Sequence, residues 1–268
     1  MINLPIGEVV EVAIDWMTKN LSDFFDIIKL ILLGVLNLFE GIFNGILGLI
    51  VLICWLRVGK KESILAAIGL CLIYGMNLWS ETMETLALVL TATFIALAIG
   101  IPLGIWMARS DKLDQIVRPI LDFMQTMPAF VYLIPAVYFF DLGQVPGAVA
   151  TVIFAMPPVV RLTSLGIRQV SEDVIEASDS FGATYKQKLF QVQIPLAMPT
   201  ILAGLNQTIM LSLSMVVISS MIGGGGLGNV VLRGITQMKV GEGFEGGLAV
   251  VILAMILDRV TQSLGKEK

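Results

Sequence analysis

The segment IEASDSFGATYKQKLFQVQIP, Ile175 to Pro195, gathers carboxylates, lysines and hydroxyls in a chain that is otherwise apolar. Its residue types suit docking and charge pairing, and they do not suit catalysis. No histidine occurs in the 268 residues, which removes imidazole bases, histidine-bound zinc and the H-E-x-x-H peptidases. With no histidine there is no Ser-His pair, and no matched pair of membrane-depth aspartates supports an intramembrane enzyme. Cys54 and Cys71 lie in apolar runs and read as buried free thiols, so neither a disulfide nor a metal site is expected. The glycine run Gly223–Gly226 continues into Leu227, Gly228 and Asn229 with no lysine. It therefore lacks the G-x-x-x-x-G-K-[ST] spacing that cradles nucleotide phosphates. The chain is expected to bind no cofactor and no nucleic acid.

These polar groups need a scaffold, and composition says which kind. Hydrophobic residues make up 56% of the chain and charged residues 14%, against about 25% charged in a soluble domain. Apolar runs near the ~20 residues of a membrane span point to an all-α, polytopic membrane bundle. The runs do not alternate as barrel strands would. Seven spans are expected, at about 27–56, 63–80, 84–108, 117–140, 147–166, 197–222 and 246–264. The first is long enough to tilt, to bend at Gly41, Gly45 or Gly48, or to begin in the interface.

Charge then orients the bundle. With the C-terminus inside, Arg57, Lys60, Lys61, Arg109, Lys112, Arg118, Arg161, Arg168, Lys186, Lys188, Arg259, Lys266 and Lys268 share the inner face, and Lys19, Lys29, Arg233 and Lys239 the outer one. This thirteen-to-four bias puts Ile175–Pro195 in the cytoplasm and the N-terminus outside. No cleavable signal peptide is expected.

Along the first 30 residues, Glu8, Glu11, Asp15, Lys19, Asp23, Asp26 and Lys29 fall within an arc of about 120°. Val9, Val12, Trp16, Met17, Phe24, Phe25 and Ile28 occupy the remainder. This is an amphipathic helix, lying either on the membrane surface or on the protein's own spans. The expected organisation is a scaffold helix over 1–28, two spans over 29–80 and a core over 81–268.

Within the core, Ser171 reads as an N-cap followed by Glu172 and Asp173, acids that suit a helix start. The helix should run from Glu172 to about Phe181 and stop at Gly182. Thr184 with Gln187 forms a capping box for a second short helix, which Pro195 ends or bends into the next span. Ile175, Phe181, Tyr185 and Phe190 are left to pack against a partner.

Glu176-Ala177-Ser178, Gly182 and Val192-Gln193-Ile194-Pro195 match the E-A-A-x3-G-x9-I-x-L-P pattern of ABC importer permeases, with Ser178, Val192 and Ile194 as mild departures. The chain resembles that family. Leu121–Phe140, Phe154–Val170 and Leu205–Gly223 resemble its glycine betaine/proline betaine branch, and the likeness runs from about Trp79 to Asp258. The resemblance implies the type I importer fold and a coupling segment at 171–195. Glu176, Ala177, Ser178, Phe181, Gly182, Ala183, Thr184 and Tyr185 would meet a cytoplasmic ATPase. It further implies two ATPase copies that bind ATP and magnesium, a second copy of this chain, and a separate extracellular binding protein. The site would be the cytoplasmic membrane of a prokaryote. The cargo would be glycine betaine or a related quaternary amine, with choline, carnitine or another amino-acid-like solute as the alternative.

Two further groups are candidates. Ser212, Met215 and Ser219 share a helix face that lines a path or a two-fold interface, or that serves plain helix packing. Gly223, Gly224, Gly225 and Gly226 form an outer loop, either merely flexible or flexing the outer mouth when a binding protein docks. Pro128, Pro135, Pro157, Pro158 and Pro199 fall in or near spans, as kinks along a path or as ordinary membrane-helix kinks. Deep carboxylates are scarce; Asp141, Glu81 and Glu84 lie near span ends. That argues against an ion-coupled carrier.

Overall fold

A computed structural model describes residues 6–45 and 60–264. Cys54, Gly48, Arg57, Lys266 and Lys268 lie outside the described residues, as do residues 46–56 of the expected first span. The described residues form α1 (Ile6–Asn20), α2 (Ser22–Gly45), α3 (Lys60–Gly75), α4 (Trp79–Arg109), α5 (Asp111–Thr126), α6 (Ala129–Phe140), α7 (Gln144–Arg168) and α8 (Glu172–Ser180). After these come α9, which runs from Tyr185 to Ser220 as one rod, α10 (Gly226–Thr236) and α11 (Val240–Leu264).

The centre is a layer of α4, α7 and α9, with α7 packed between the other two. Lipid offers no hydrophobic drive for helices to associate, so close packing through small residues replaces it. A Cβ on Gly104 of α4 would lie 2.6 Å from the Val160 carbonyl oxygen of α7. One on Gly204 of α9 would lie 3.1 Å from the Val159 Cα. Outside this layer, α3 and α11 close a large apolar cluster with α4, α9 and α10 that includes Ile73, Leu86, Leu213, Leu227 and Leu253.

Four described helices, α4, α7, α9 and α11, are long and apolar enough to cross a membrane, and α5 with α6 forms a fifth, broken one. The expected count of seven is thus not reached among the described residues. The run at 63–80 yields an apolar helix of only Ile64–Gly75, about 18 Å long.

The expected span at 117–140 is two helices: α5 and α6 meet at 98°. Pro128 is the cause. A residue before proline is pushed out of the helical region, and Met127 has φ −68° and ψ 133°. Proline also cannot donate to the carbonyl four residues back. That carbonyl belongs to Met124, and the Tyr132 hydroxyl donates to it instead. Arg161 and Arg168 of α7 then hold the polar face of α5 through Asp122 at 2.5 Å and Asp111 at 2.7 Å.

The amphipathic pattern read over residues 1–28 spans two helices, because the chain breaks at Leu21. Its charged stripe is partly turned inward: the Tyr138 hydroxyl of α6 donates to Asp15, and Lys29 pairs with Asp141 at 3.8 Å. Phe25 stacks on Phe139 with ring centroids 4.2 Å apart, whereas Trp16 and Phe24 lie on an open face. Cys71 is free and exposed on α3, not buried. An apolar thiol facing lipid is as well solvated as one in a core, so an apolar run does not decide between the two.

Candidate functional site

The polar segment forms a hinge-like unit at the end of α7. Ser171 occupies the N-cap position of α8, but its side chain makes no capping hydrogen bond. Glu172 and Asp173 stand in the first turn, where carboxylates meet the positive end of the helix dipole. Gly182 then reverses the chain with φ +76°. The Thr184–Gln187 capping box is present, with Thr184 N–H donating to Gln187 Oε1 at 2.8 Å.

The expected second short helix is not a separate element. Tyr185 begins a helix that continues without interruption to Ser220. Residues Lys188–Gln193 form a π-helical turn, and Pro195 sits in the first turn of the α-helix after it. Pro195 has no N–H to give to the continuous ladder, and it stands where the wider π-turn returns to α-helical winding. The part of the polar segment from Tyr185 onward is therefore the inner end of a membrane-crossing rod.

No residue of α8 is buried. Phe181 is 93% exposed, and Val174, Tyr185 and Phe190 are exposed beside it. A helix with no residue buried in its own chain presents its surface to something else. Glu176, Ala177 and Thr184 are exposed on this unit, while Ser178 and Ala183 are half covered. The Ser178 hydroxyl is enclosed without a hydrogen-bond partner, at the position where the pattern carries alanine. An alanine there leaves no polar group to satisfy.

Three contacts hold the unit in place. Lys188 Nζ bridges Asp179 at 2.6 and 2.7 Å, which ties α8 to the π-turn. Arg109 at the inner end of α4 stacks over the Tyr185 ring, 3.7 Å from its centroid. Leu189 is buried against Ile167, Ala197 and Ile201. Above α8 an open cleft of about 360 Å³, lined by Gly166, Ser171, Val174, Leu196 and Thr200 among others, separates it from the bundle. The unit is anchored at its α9 side and stands clear of the bundle beneath α8.

Ser212, Met215 and Ser219 do share a face, but that face is interior. All three are buried. The two hydroxyls donate to the Thr208 and Val216 carbonyls of their own helix at 2.9 Å. Met215 packs among Tyr132, Leu133, Ala136 and Ala150. Within the chain this face serves helix packing, and it is Ser214 that is exposed.

The glycine run is a close-packed turn at the opposite end of the bundle. Gly223, Gly225 and Gly226 have φ of +86°, +74° and +64°. A Cβ on Gly224 would lie 2.7 Å from the Ser219 carbonyl oxygen, and one on Gly225 would overlap Glu84 Oε1. Glu84 accepts from the Gly226 N–H at 2.7 Å and from Gln144 Nε2 at 2.5 Å. Thr85 Oγ1 accepts from the Leu227 N–H at 2.8 Å. No local pattern announces this arrangement, because Glu84 and Gly226 are 142 residues apart.

The profile of the family described as "Binding-protein-dependent transport system inner membrane component" matches residues 100–265. The chain belongs to this family. Among relatives of this permease, the glycine betaine/carnitine transport permease protein GbuB of Listeria monocytogenes is 50% identical, with 98% of this chain and 96% of that one covered. The glycine betaine/proline betaine transport system permease protein ProW of Escherichia coli is likewise 50% identical, over 98% of this chain and 76% of that one. The permease is also similar in fold to the MetNI methionine ABC transporter in an inward-facing crystal form. The TM-score is 0.60 and the identity 24%, over 70% of this chain and 92% of that one. It is thus a multi-pass membrane subunit of an ABC importer, with the type I membrane-domain fold, and it is not itself an enzyme.

Proposed function

We propose that this chain is the permease of an ATP-driven importer for glycine betaine or a related quaternary-amine solute. The observation that carries the cargo is the 50% identity, over nearly the whole chain, with two permeases whose names both specify glycine betaine. Carnitine is the second reading, since one of those names also includes it.

In this reading two copies of the chain enclose the path. Each offers Glu176, Ala177, Ser178, Phe181, Gly182, Ala183, Thr184 and Tyr185 to one of two cytoplasmic ATPase subunits, which bind ATP and magnesium. A separate binding protein delivers the solute outside. The exposed, coreless surface of α8 supports the ATPase contact, and the chain's lack of a phosphate-binding loop supports an external motor.

Closure of the ATPase pair would draw the two α8 units together, and the rods behind them would carry that motion outward. The solute would leave its binding protein at the end where the glycine turn lies. The N-terminus outside and the C-terminus inside follow from the charge bias. The contact of α1 with α6 near Asp141, remote from α8, supports the first of these.

The test is uptake of radiolabelled glycine betaine into proteoliposomes that hold the permease and its ATPase, with binding protein supplied outside. ATP-dependent accumulation is expected, competed by carnitine if the second reading also holds. Uptake that persists without the ATPase and collapses with the ion gradient would overturn the proposal.

A further inference from the structure

We propose that Glu84 is a positioning residue of the outer gate, a pin that holds the outer ends of α4, α7 and α10 together until the binding protein docks. The proposal rests on the importer reading above. Four helix ends meet at this place. Glu84 and Thr85 stand in the second turn of α4, Gln144 begins α7, and Gly225–Gly226 leads from the end of α9 into α10.

The capping arrangement shows what Glu84 does. The first N–H groups of a helix have no partner within it. They are met, as a rule, by a Ser, Thr, Asp or Asn side chain at the N-cap. In α10 the N-cap is Gly225, which has no side chain to offer. The cap comes from another helix: Glu84 takes the Gly226 N–H and Thr85 takes the Leu227 N–H. A carboxylate at a helix N-terminus gains from both charge and dipole.

The other Glu84 oxygen takes the Gln144 amide, so one side chain bridges three elements. Beside it, the Gly143 N–H donates to the Ile222 carbonyl at 2.9 Å and joins the α6–α7 loop to the α9–α10 turn. The glycines serve this contact. The carboxylate reaches the backbone because no Cβ stands at Gly225.

This cluster sits at the far end of the α9 rod from the ATPase-facing unit. An outer mouth that opens by parting these helix ends must first break hydrogen bonds to a single carboxylate. Weakening the pin should therefore ease outward opening and free the ATPase from its dependence on the binding protein.

The test uses the assembled transporter with its ATPase, reconstituted with and without solute-loaded binding protein. Glu84→Ala removes both bonds and should raise hydrolysis without binding protein by at least about tenfold, the factor that corresponds to one charge-assisted hydrogen bond. The stimulated rate should change little. Glu84→Gln keeps one acceptor for the Gly226 N–H but loses the charge, and should give a smaller rise than Glu84→Ala. Gln144→Ala removes one arm and should give an intermediate rise; it decides the matter if Glu84→Ala does not assemble. Equal ratios of stimulated to unstimulated hydrolysis in wild type, Glu84→Ala and Gln144→Ala would overturn the proposal. So would an unchanged ratio in Gln144→Ala alone, where Glu84→Ala does not assemble. If the unsubstituted transporter shows neither uptake nor stimulation, the importer reading itself fails, whatever Glu84 does.

Discussion

The Arg109 guanidinium lies face-on to the Tyr185 ring, 3.7 Å from its centroid. It joins the inner end of α4 to the first residue of the α9 rod. Two central helices thus share a contact at the place where a motor would push. A cation–π contact is worth about 0.5–1 kcal/mol when exposed and ~2 when desolvated. Tyr185→Ala should lower solute moved per ATP by about twofold to tenfold with hydrolysis retained, and Tyr185→Phe, which keeps the ring, should restore it. Paired uptake and phosphate-release measurements on one batch of proteoliposomes give that ratio.

Gly182 should respond to backbone more than to bulk. Its φ is +76°, and a Cβ there would meet nothing within 4 Å. Asparagine tolerates left-handed angles, and a β-branched residue does not. Gly182→Asn should keep the ATPase bound, and Gly182→Val should weaken its co-purification. Equal recovery with both variants would show that the turn is not needed for docking.

Glu176 tests charge on the same unit. It is exposed on α8, so reversing it disturbs no core. Glu176→Lys should leave membrane insertion and thermal stability unchanged and reduce stimulated ATPase activity. Wild-type coupling in this variant would remove α8 from the ATPase contact.

Tyr132 tests the broken span. Its hydroxyl serves the Met124 carbonyl that Pro128 leaves without a donor. Tyr132→Phe keeps the ring and should cost about 1–3 kcal/mol, the penalty for a buried acceptor left alone. A lowered Tm of the detergent-purified protein is the expected readout. An unchanged Tm would mean that another donor reaches Met124.

Gly225 is predicted to behave differently from a flexible hinge residue. Alanine there would need φ near +74° and would overlap Glu84. The left-handed angle alone costs about 1–2 kcal/mol. Gly225→Ala should reduce the yield of folded protein, whereas a loop glycine would give normal yield and slower uptake. Size-exclusion profiles and uptake rates together separate the two.

The parts legible in sequence were those governed by local rules. Gly182, Thr184 and Gln187 marked their own turn and cap, because each acts on neighbours within a few residues. The helical class followed from composition in the same way. Pro128 marked a kink in the span at 117–140 but not its 98° angle, because the packing of α5 on α7 is set by residues far along the chain. Ser212 and Ser219 looked like an open polar face, because hydroxyls bonded back to their own helix carry no outward sign. Met215 between them is fully buried, and only its tertiary neighbours show that. Glu84 was placed near a span end, but its role was not legible, since its partner is brought to it by the fold.

The π-turn at Lys188–Gln193 amounts to one extra residue wound into an otherwise regular helix. Removing a residue there would let the backbone return to ordinary winding and would leave the cytoplasmic side on its present heading, because the wide turn already absorbs the surplus. Removing one from the regular part of the rod would instead swing that side by about 100° around the axis. Phe181 and Glu176 would then strain away from where they now stand. The wide turn is thus the one stretch of the rod that should tolerate a deletion with the protruding arm still aimed correctly.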